Sequence, residues 1–254
     1  MPSAASYDEP FWRRVAARAP ETALMGTLLR IVENQEQKVT VPLVDDFDEH
    51  EVLEGLLEDS KPSPADGTGR FDYLLRAPWR YPPLPWGSRF GRRYEPGIFY
   101  GSLSETALLA EVAYYRLVFL EGMETPFADR VISQHTRFEA RYQTDHGRRL
   151  EAPPFARHEG VLRHPAEYGP CQALGTVLRG AGTAAFTYLS ARAPGRECNI
   201  ALLRPDALRS RRHRNPVSGL CETRPEGVQF RFGQRRTWFP REQFLVDGRL
   251  PQPA

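Results

Sequence analysis

Several features that would assign the chain to a common class of protein are scarce or missing. The 254 residues include three cysteines, and none has Cys-x-x-Cys spacing. This argues against a disulfide framework or a zinc site and favours reduced thiols. No run of about 18 apolar residues occurs, so no transmembrane helix is predicted. Charged residues interrupt the N-terminal segment, which is unlike a secretory signal. We therefore expect a cytoplasmic protein that does not enter a membrane.

Lysine is almost absent. Of the 34 basic residues only Lys38 and Lys61 are lysines, and the others are all arginines. The formal net charge is +2, which argues against a chain that coats nucleic acid through bulk positive charge, so we expect no direct nucleic-acid binding. The arginine excess either reflects genomic base composition or includes a few arginines that clamp phosphates or carboxylates, a contact that lysine cannot reproduce.

The motifs of several large enzyme classes are missing as well. The sequence has no Gly-x-Gly-x-x-Gly after a strand, no P-loop motif, no His-Glu-x-x-His and no Gly-x-Ser-x-Gly. Dinucleotide redox chemistry, P-loop hydrolysis, zinc proteolysis and the α/β-hydrolase triad therefore lose support. The six histidines are scattered without metal-ligand spacing. We expect them at the surface or at strand edges, and we expect no bound metal.

What is present is a mixture of short strands and a few helices. Apolar patterning predicts helices over 45–59, 104–120 and 167–179, and strands over 24–32, 98–100, 134–144, 184–189, 198–203, 228–232 and 237–239. Because the two types do not alternate regularly, we predict an α+β fold: a single domain with a split, mostly antiparallel sheet and flanking helices. We place this domain at residues 24–245, after a lead-in of residues 1–23 and before a tail of residues 246–254.

The predicted helix over 104–120 is apolar almost all round, apart from one carboxylate. Ser102 and Glu105 fit a capping box at its start. Glu111 lies in its middle, with apolar or aromatic neighbours three and four residues away on either side. An unpaired buried carboxylate costs on the order of several kcal/mol. Glu111 is therefore either paired with an arginine for structural reasons or functional.

Residues 79–91, with the sequence WRYPPLPWGSRFG, form an unusual loop that carries two tryptophans, a tyrosine and two arginines. Its prolines exclude a regular helix or a central strand. Either the aromatic side chains pack the loop onto the domain, or the loop places rings and guanidinium groups around a ligand.

One set of residues combines regular spacing with useful chemistry. Arg89 precedes Tyr100 by eleven residues, and Tyr100 precedes Glu111 by eleven, while Ser190 lies at the end of a predicted strand. An arginine can clamp a pyrophosphate, a tyrosine can stack on a ring, and a fixed carboxylate can stabilise a developing cation.

These residues lie in a run that resembles the core of the RES-domain proteins, a family named for arginine, glutamate and serine. The run combines an arginine–aromatic pair, Arg89-Phe90, with a Gly-x-x-Tyr strand ending at Tyr100 and an alanine-rich helix carrying Glu111. Two later segments resemble the serine and asparagine strands of the family: Tyr188-Leu189-Ser190-Ala191-Arg192 and Asn199-Ile200-Ala201-Leu202-Leu203. The likeness extends from about residue 25 to about residue 240.

The resemblance implies a fold related to that of ADP-ribosyltransferase toxins, with action on NAD. It implies that Arg89 binds the NAD phosphates and that Tyr100 brackets the nicotinamide–ribose end. It also implies that Glu111 contacts the ribose and stabilises an oxocarbenium-like transition state. Ser190 would line the pocket and support the arginine or the nicotinamide.

Two upstream arginines qualify as the first arginine of the family. Arg30 lies on a predicted strand, and Arg80 lies in the aromatic loop with Tyr81 beside it. All three therefore join the predicted NAD-binding set. The sequence departs from the family at Gly91, where an asparagine is common, so any contact of that asparagine is missing.

The resemblance implies an enzyme that degrades NAD by phosphorolysis or hydrolysis of the nicotinamide–ribose bond, with NAD as substrate. Many members are toxins of type II toxin–antitoxin pairs, neutralised by a small Xre-like antitoxin. The acceptor stays open between inorganic phosphate, water and a protein side chain. A protein mono-ADP-ribosyltransferase is the first alternative. A non-catalytic binding module, with Glu111 in a structural ion pair to Arg89, is the second. The basic cluster at 209–214 is either a solvated loop or a contact for an antitoxin or an acidic target.

Overall fold

The computed structural model describes residues 7–34, 45–63, 65–81, 83–124 and 129–252. Parts of the predicted lead-in (1–6), of the aromatic loop (Pro82) and of the predicted tail (253–254) lie outside these ranges. The helices are α1 (Glu9–Ala16), α2 (Phe47–Ser60), α3 (Tyr73–Arg80), α4 (Glu105–Glu121), α5 (Glu159–Leu162) and α6 (Gly169–Gly180). The strands are β1 (Thr22–Glu33), β2 (Phe99–Ser102), β3 (Val131–Arg149), β4 (Ala185–Leu189), β5 (Cys198–Leu202), β6 (Arg214–Arg224), β7 (Gly227–Phe232) and β8 (Arg235–Pro240).

The strands form one mostly antiparallel sheet in the order β1-β2-β5-β4-β3-β6-β7-β8. β1 meets β2 at Leu29 and Ser102, and it also pairs with β3 over its whole length, from Thr22 to Glu33. The pairing of β1 with both neighbours closes a ring of five strands. The strand ends that meet at β1 and β2 can therefore share one interior space.

The long strand β3 is where the sheet divides. Along it, β6 pairs antiparallel with residues 131–139, and β4 pairs parallel with residues 147–149. Between these stretches β4 and β6 separate, so that β6, β7 and β8 form a wing beyond the ring. The predicted α+β fold with a split, mostly antiparallel sheet is confirmed.

The core is made where helices cover this sheet. α4 packs its buried face against the wing, where Cys221 and Phe230 are almost completely buried. α6 covers the other side, together with α1, whose Trp12 has no exposed surface. Residues 7–23, assigned by the sequence to a lead-in, therefore contribute a helix to the same core. In the described part of the chain, no helix is both long and apolar enough to span a bilayer.

Several predicted elements differ from the structure at their ends. α4 begins at Glu105, and its cap is Ser104, whose Oγ accepts a hydrogen bond from the Ala107 backbone N–H at 3.1 Å. The predicted cap Ser102 is instead the last residue of β2, because it is paired there with Asn199. The helix α3, which contains Pro78, and the strand β6 were not predicted.

The aromatic loop is held against α6. A Cβ at Gly175 would lie 1.8 Å from the Phe90 carbonyl oxygen, so only glycine allows this approach. Gln172 Nε2 donates to the carbonyl oxygens of Trp86 and Ser88, at 2.9 and 3.1 Å. These contacts fix the backbone on both sides of Arg89.

Candidate functional site

A cavity of about 1110 Å³ lies between β1, β2, α3 and α4, and it is larger than the roughly 300–1,000 Å³ common for ligand sites. We name two groups of residues on its wall. The near end lies beside β2, β4 and β5 and consists of Arg89, Tyr100, Glu111, Tyr188 and Asn199. The far end lies beside β6 and the start of α3 and consists of Val32, Glu33, Asn34, Tyr73, Leu74 and His213.

Glu111 reaches the near end from the middle of α4, and neutral groups hold its carboxylate. Ser190 Oγ donates to Oε1 at 2.6 Å, and Asn199 Nδ2 donates to the same oxygen at 2.9 Å. Among the described residues, none donates to Oε2, and no ion pair forms between Glu111 and Arg89. The structural ion pair proposed for a binding module is therefore absent. The carboxylate is fixed without being neutralised.

Tyr100 lies on β2 and lines the cavity, as Glu111 does. Its hydroxyl accepts from the Phe90 backbone N–H at 3.1 Å and shares a hydrogen bond with Ser88 Oγ at 2.9 Å. Burial raises the pKa of Tyr100 to about 12, so its hydroxyl stays neutral at physiological pH. The ring is thus fixed to the same loop that carries Arg89.

Arg89 is 7% exposed and is held without a carboxylate partner. Its Nη1 donates to the His164 carbonyl oxygen at 2.8 Å, and its guanidinium lies 4.6 Å from the centre of the Tyr168 ring. Nη2 is buried and has no hydrogen-bond partner. Burial by itself lowers the pKa of Arg89, but the nearby Cys171, Tyr168 and Glu111 outweigh it, and the pKa lies above its ordinary value. An unpaired, permanently charged donor at a cavity wall suits an anionic ligand.

Arg30 lies on β1 between the two ends of the cavity. Its Nη1 donates to the Tyr100 carbonyl oxygen at 2.8 Å, and its guanidinium stacks 4.5 Å from the centre of the Phe99 ring. Burial lowers the pKa of Arg30 to about 10, so it stays protonated at neutral pH. Its Nε is buried and has no partner, which leaves a second donor available in the wall.

The other three predicted site residues do not reach the wall. Arg80 is buried and donates from Nε to the Pro62 carbonyl oxygen at 2.7 Å, and the Tyr81 hydroxyl lies 3.2 Å from that of Tyr73. Neither residue is among those that line the cavity. Ser190 has no exposed surface and is not among the residues that line the cavity, and it would act through Glu111.

The sequence and the fold are both similar to those of known proteins. The sequence profile of the RES domain matches residues 64–221. The chain belongs to the RES-domain family. Among curated protein sequences, no significant match is found. Among solved structures, the chain is similar to one in the crystal structure of the M. tuberculosis MbcT–MbcA toxin–antitoxin complex, with 14% sequence identity and a TM-score of 0.47. That match covers 86% of this chain and 94% of the other.

Asn199 and Tyr188 complete the near end of this RES domain, although neither was among the predicted site residues. Both belong to segments that carry the family resemblance, and they face each other across β4 and β5. Asn199 is 2% exposed, and its Oδ1 accepts from Ser102 Oγ at 2.7 Å while its Nδ2 donates to Glu111. The available signal was a polar residue in a strand that is otherwise apolar.

The sequence predicted that the histidines lie at the surface or at strand edges, and not all of them do. His135 is 3% exposed in β3, and burial lowers its pKa to about 4. His213 lines the far end of the cavity. Within the described ranges, no group of three histidine, cysteine or acidic side chains lies close enough together to hold a metal ion.

Proposed function

We propose that this chain cleaves the nicotinamide–ribose bond of NAD at the near end of the cavity, with Glu111 as the catalytic carboxylate. The observation that carries the proposal is the carboxylate itself, fixed through Oε1 by two neutral donors and without a cationic partner among the described residues. A stable fold gains little from such a group, because Glu111 is half-buried and removing charge from water without a cationic partner costs free energy. A reaction that develops positive charge in the cavity would make use of it.

The chemistry of NAD fits this requirement. When the bond between nicotinamide nitrogen and ribose C1′ breaks, the electron pair goes to the nicotinamide nitrogen, which loses its positive charge. The positive charge passes to C1′ and the ring oxygen of the ribose. The leaving group needs no proton, so no strong general acid is required. Water or phosphate then adds to C1′, and water releases a proton to solvent.

The carboxylate would stabilise this charge more in the transition state than in the bound substrate. At about 4 Å and an effective dielectric constant of about 20, two opposite unit charges attract by about 4 kcal/mol. That energy corresponds to a rate effect of about 10³. Ser190 and Asn199 would keep the carboxylate in position, and Tyr100 would bracket the nicotinamide–ribose end.

The two arginines on the wall would hold the pyrophosphate. Arg89 offers its unpaired Nη2 beside Glu111, and Arg30 offers Nε from β1. A guanidinium can bond two phosphate oxygens at once, which lysine cannot do. Both side chains are held by carbonyl oxygens and aromatic rings and not by a carboxylate, so their positive charge remains available to a phosphate.

The test is turnover of NAD by the purified protein, with and without inorganic phosphate, followed by separation of the products. We expect release of nicotinamide, with ADP-ribose as the product in water or ADP-ribose 1-phosphate when phosphate is the acceptor. Glu111→Gln should lower kcat about 10³-fold, because it removes the charge but keeps the hydrogen bonds to Ser190 and Asn199. The matched control is Glu121→Gln at the end of the same helix, which should leave kcat unchanged.

The other readings predict different results. Label transferred from NAD to a protein only after a cell lysate is added would favour the protein ADP-ribosyltransferase. No turnover under any of these conditions, from protein with an intact fold, would overturn the proposal and favour the binding module.

We also propose that the chain is the toxin of a pair, with a small antitoxin as partner. Membership of the RES-domain family supports this role. As the family resemblance implies, many members of the family are toxins of such pairs. Induced expression of the wild-type chain in a bacterial host should deplete NAD and stop growth, whereas Glu111→Gln should do neither. Growth arrest by both proteins at unchanged NAD would contradict the role.

A further inference from the structure

The far end of the cavity contains a histidine–carboxylate pair that the chemistry at Glu111 does not use. His213 Nδ1 and Asp72 Oδ2 lie 2.7 Å apart, and the His213 backbone N–H donates to the same oxygen at 2.7 Å. Asp72 Oδ1 accepts from the Leu75 backbone N–H at the start of α3. The carboxylate therefore fixes the ring to the helix, although the two are 141 residues apart in sequence.

This pairing sets the chemistry of the free ring nitrogen. An ionised carboxylate only accepts hydrogen bonds, so Nδ1 carries the proton that is donated to Asp72. In the neutral ring Nε2 is then an acceptor. No described residue makes a hydrogen bond to Nε2, and the side chain is 34% exposed at the cavity wall. The far end thus presents one oriented acceptor to a ligand that carries N–H or O–H donors.

The first turns of α3 supply an apolar surface next to it. Tyr73, Leu74, Ala77 and Pro78 all line the cavity, and their spacing of one, four and five residues puts them on one face of the helix. Tyr73 is 46% exposed, and Lys61 Nζ lies 5.8 Å from the centre of its ring, so the exposed part of the ring offers an aromatic surface for stacking. A flat heterocycle with polar edges suits such a surface better than a sugar or a peptide does.

The cavity wall between the two ends carries a cationic donor. Arg30 contacts Tyr100 at the near end, and β1 then continues along the cavity wall to Asn34. The centre of the His213 ring lies 5.6 Å from that of Phe138, which is the partner of Arg30 on β3. The cavity thus presents the Glu111 carboxylate, the Arg30 guanidinium and the far-end acceptor on neighbouring segments, where the parts of one dinucleotide could meet them.

We propose that the far end binds the adenosine of the dinucleotide, with the base against the α3 surface and His213 Nε2 accepting a hydrogen bond from it. The inference rests on the proposed function for its substrate, and it deepens that function. It makes the complete dinucleotide the preferred substrate over nicotinamide mononucleotide, which has the same scissile bond but lacks the adenosine.

Binding of AMP to the wild-type chain is the direct test, because it needs no cleavage. By calorimetry, His213→Ala and Tyr73→Leu should each weaken AMP binding about tenfold, the size expected for losing one hydrogen bond or one stacking contact. The matched control His146→Ala changes an exposed histidine of β3 outside the cavity and should leave the affinity unchanged. Equal AMP affinity in His213→Ala and the wild type, or no AMP binding by the wild type, would overturn the inference.

The ratio of kcat/KM for NAD to that for nicotinamide mononucleotide supplies the second readout. His213→Ala should lower this ratio about tenfold, since only NAD carries the adenosine. An equal loss for both substrates would instead place His213 in the chemical step and overturn the assignment. If AMP binds as expected but neither substrate is cleaved, the proposed function fails while the adenosine site stands.

Discussion

The two ends of the cavity differ in how firmly their polar groups are held. At the near end Glu111, Arg89 and Tyr100 each have at least two hydrogen bonds to neutral groups of other segments. At the far end Tyr73 is 46% exposed, and His213 is fixed through one carboxylate. This difference is the one expected between chemistry and binding: stabilising a transition-state charge requires groups that are already oriented, whereas a base can be held by an exposed surface.

The near end is also assembled from several parts of the chain. Glu111 meets Ser190 across 79 positions and Asn199 across 88, and Arg89 meets the His164 carbonyl across 75. Such contacts are possible because β2, β4 and β5 are neighbours in the ring. Rigidity at this end therefore depends on strand pairing, and substitutions there should affect kcat more than substitutions at the far end.

After Glu111→Gln, the largest effect should come from Arg89. Arg89→Met removes the buried donor beside Glu111 and should lower kcat/KM for NAD about 100-fold, the loss expected when charge-assisted hydrogen bonds to an anion disappear. Arg89→Lys should recover little, since an ammonium group cannot bond the carbonyl oxygens and a phosphate in the same planar geometry. Arg13→Met, at an exposed arginine of α1, is the control. Full activity in Arg89→Lys would contradict the phosphate contact.

The next largest effects should come from Ser190 and Asn199, which hold the Glu111 carboxylate in position. Asn199→Ala and Ser190→Ala should each lower kcat about 30-fold with little change in KM, because the carboxylate keeps its charge but loses one of the bonds that orient it. Steady-state kinetics with NAD separate the two parameters. A rise in KM at constant kcat would show instead that these residues bind substrate directly.

Substitution of the two candidate upstream arginines distinguishes a residue that lines the cavity from one that only packs behind the cavity wall. Arg30→Met should raise KM for NAD about tenfold, whereas Arg80→Met should lower Tm and leave KM unchanged, because only Arg30 lines the cavity. The measurements are a thermal melt and initial rates for both variants. A raised KM in Arg80→Met alone would reverse the assignment.

The smallest effect should come from Tyr168, which supports Arg89 through its ring. Tyr168→Leu should raise KM for NAD about fivefold, which corresponds to about 1 kcal/mol of lost cation–π contact, while Tyr168→Phe should keep the wild-type KM. The Tyr168 hydroxyl lies 3.4 Å from the Tyr115 hydroxyl and 3.4 Å from Arg192 Nη2. Equal effects of Tyr168→Leu and Tyr168→Phe would show that this hydroxyl matters more than the ring.

Sequence patterns predicted the elements whose own residues decide them. The strands at β1, β4 and β5 and the helix α4 were predicted because each is a largely apolar run, and the one carboxylate in the middle of α4 identified Glu111. The cap of α4 was misplaced by two residues, because pairing with Asn199 keeps Ser102 in β2. β6 was not predicted, because its alternating side chains are polar and half-exposed and gain their order from β3 and β7.

The sequence by itself therefore determined the local elements, the family and the chemical types at the site, because periodicity and motif spacing are properties of neighbouring residues. Only the tertiary structure decided which groups meet. It gave Glu111 two neutral partners in place of an ion pair with Arg89, put Arg30 on the cavity wall and Arg80 in the packing behind it, and brought His213 to Asp72. These outcomes depend on strand order and ring closure across many residues, and no local pattern records them.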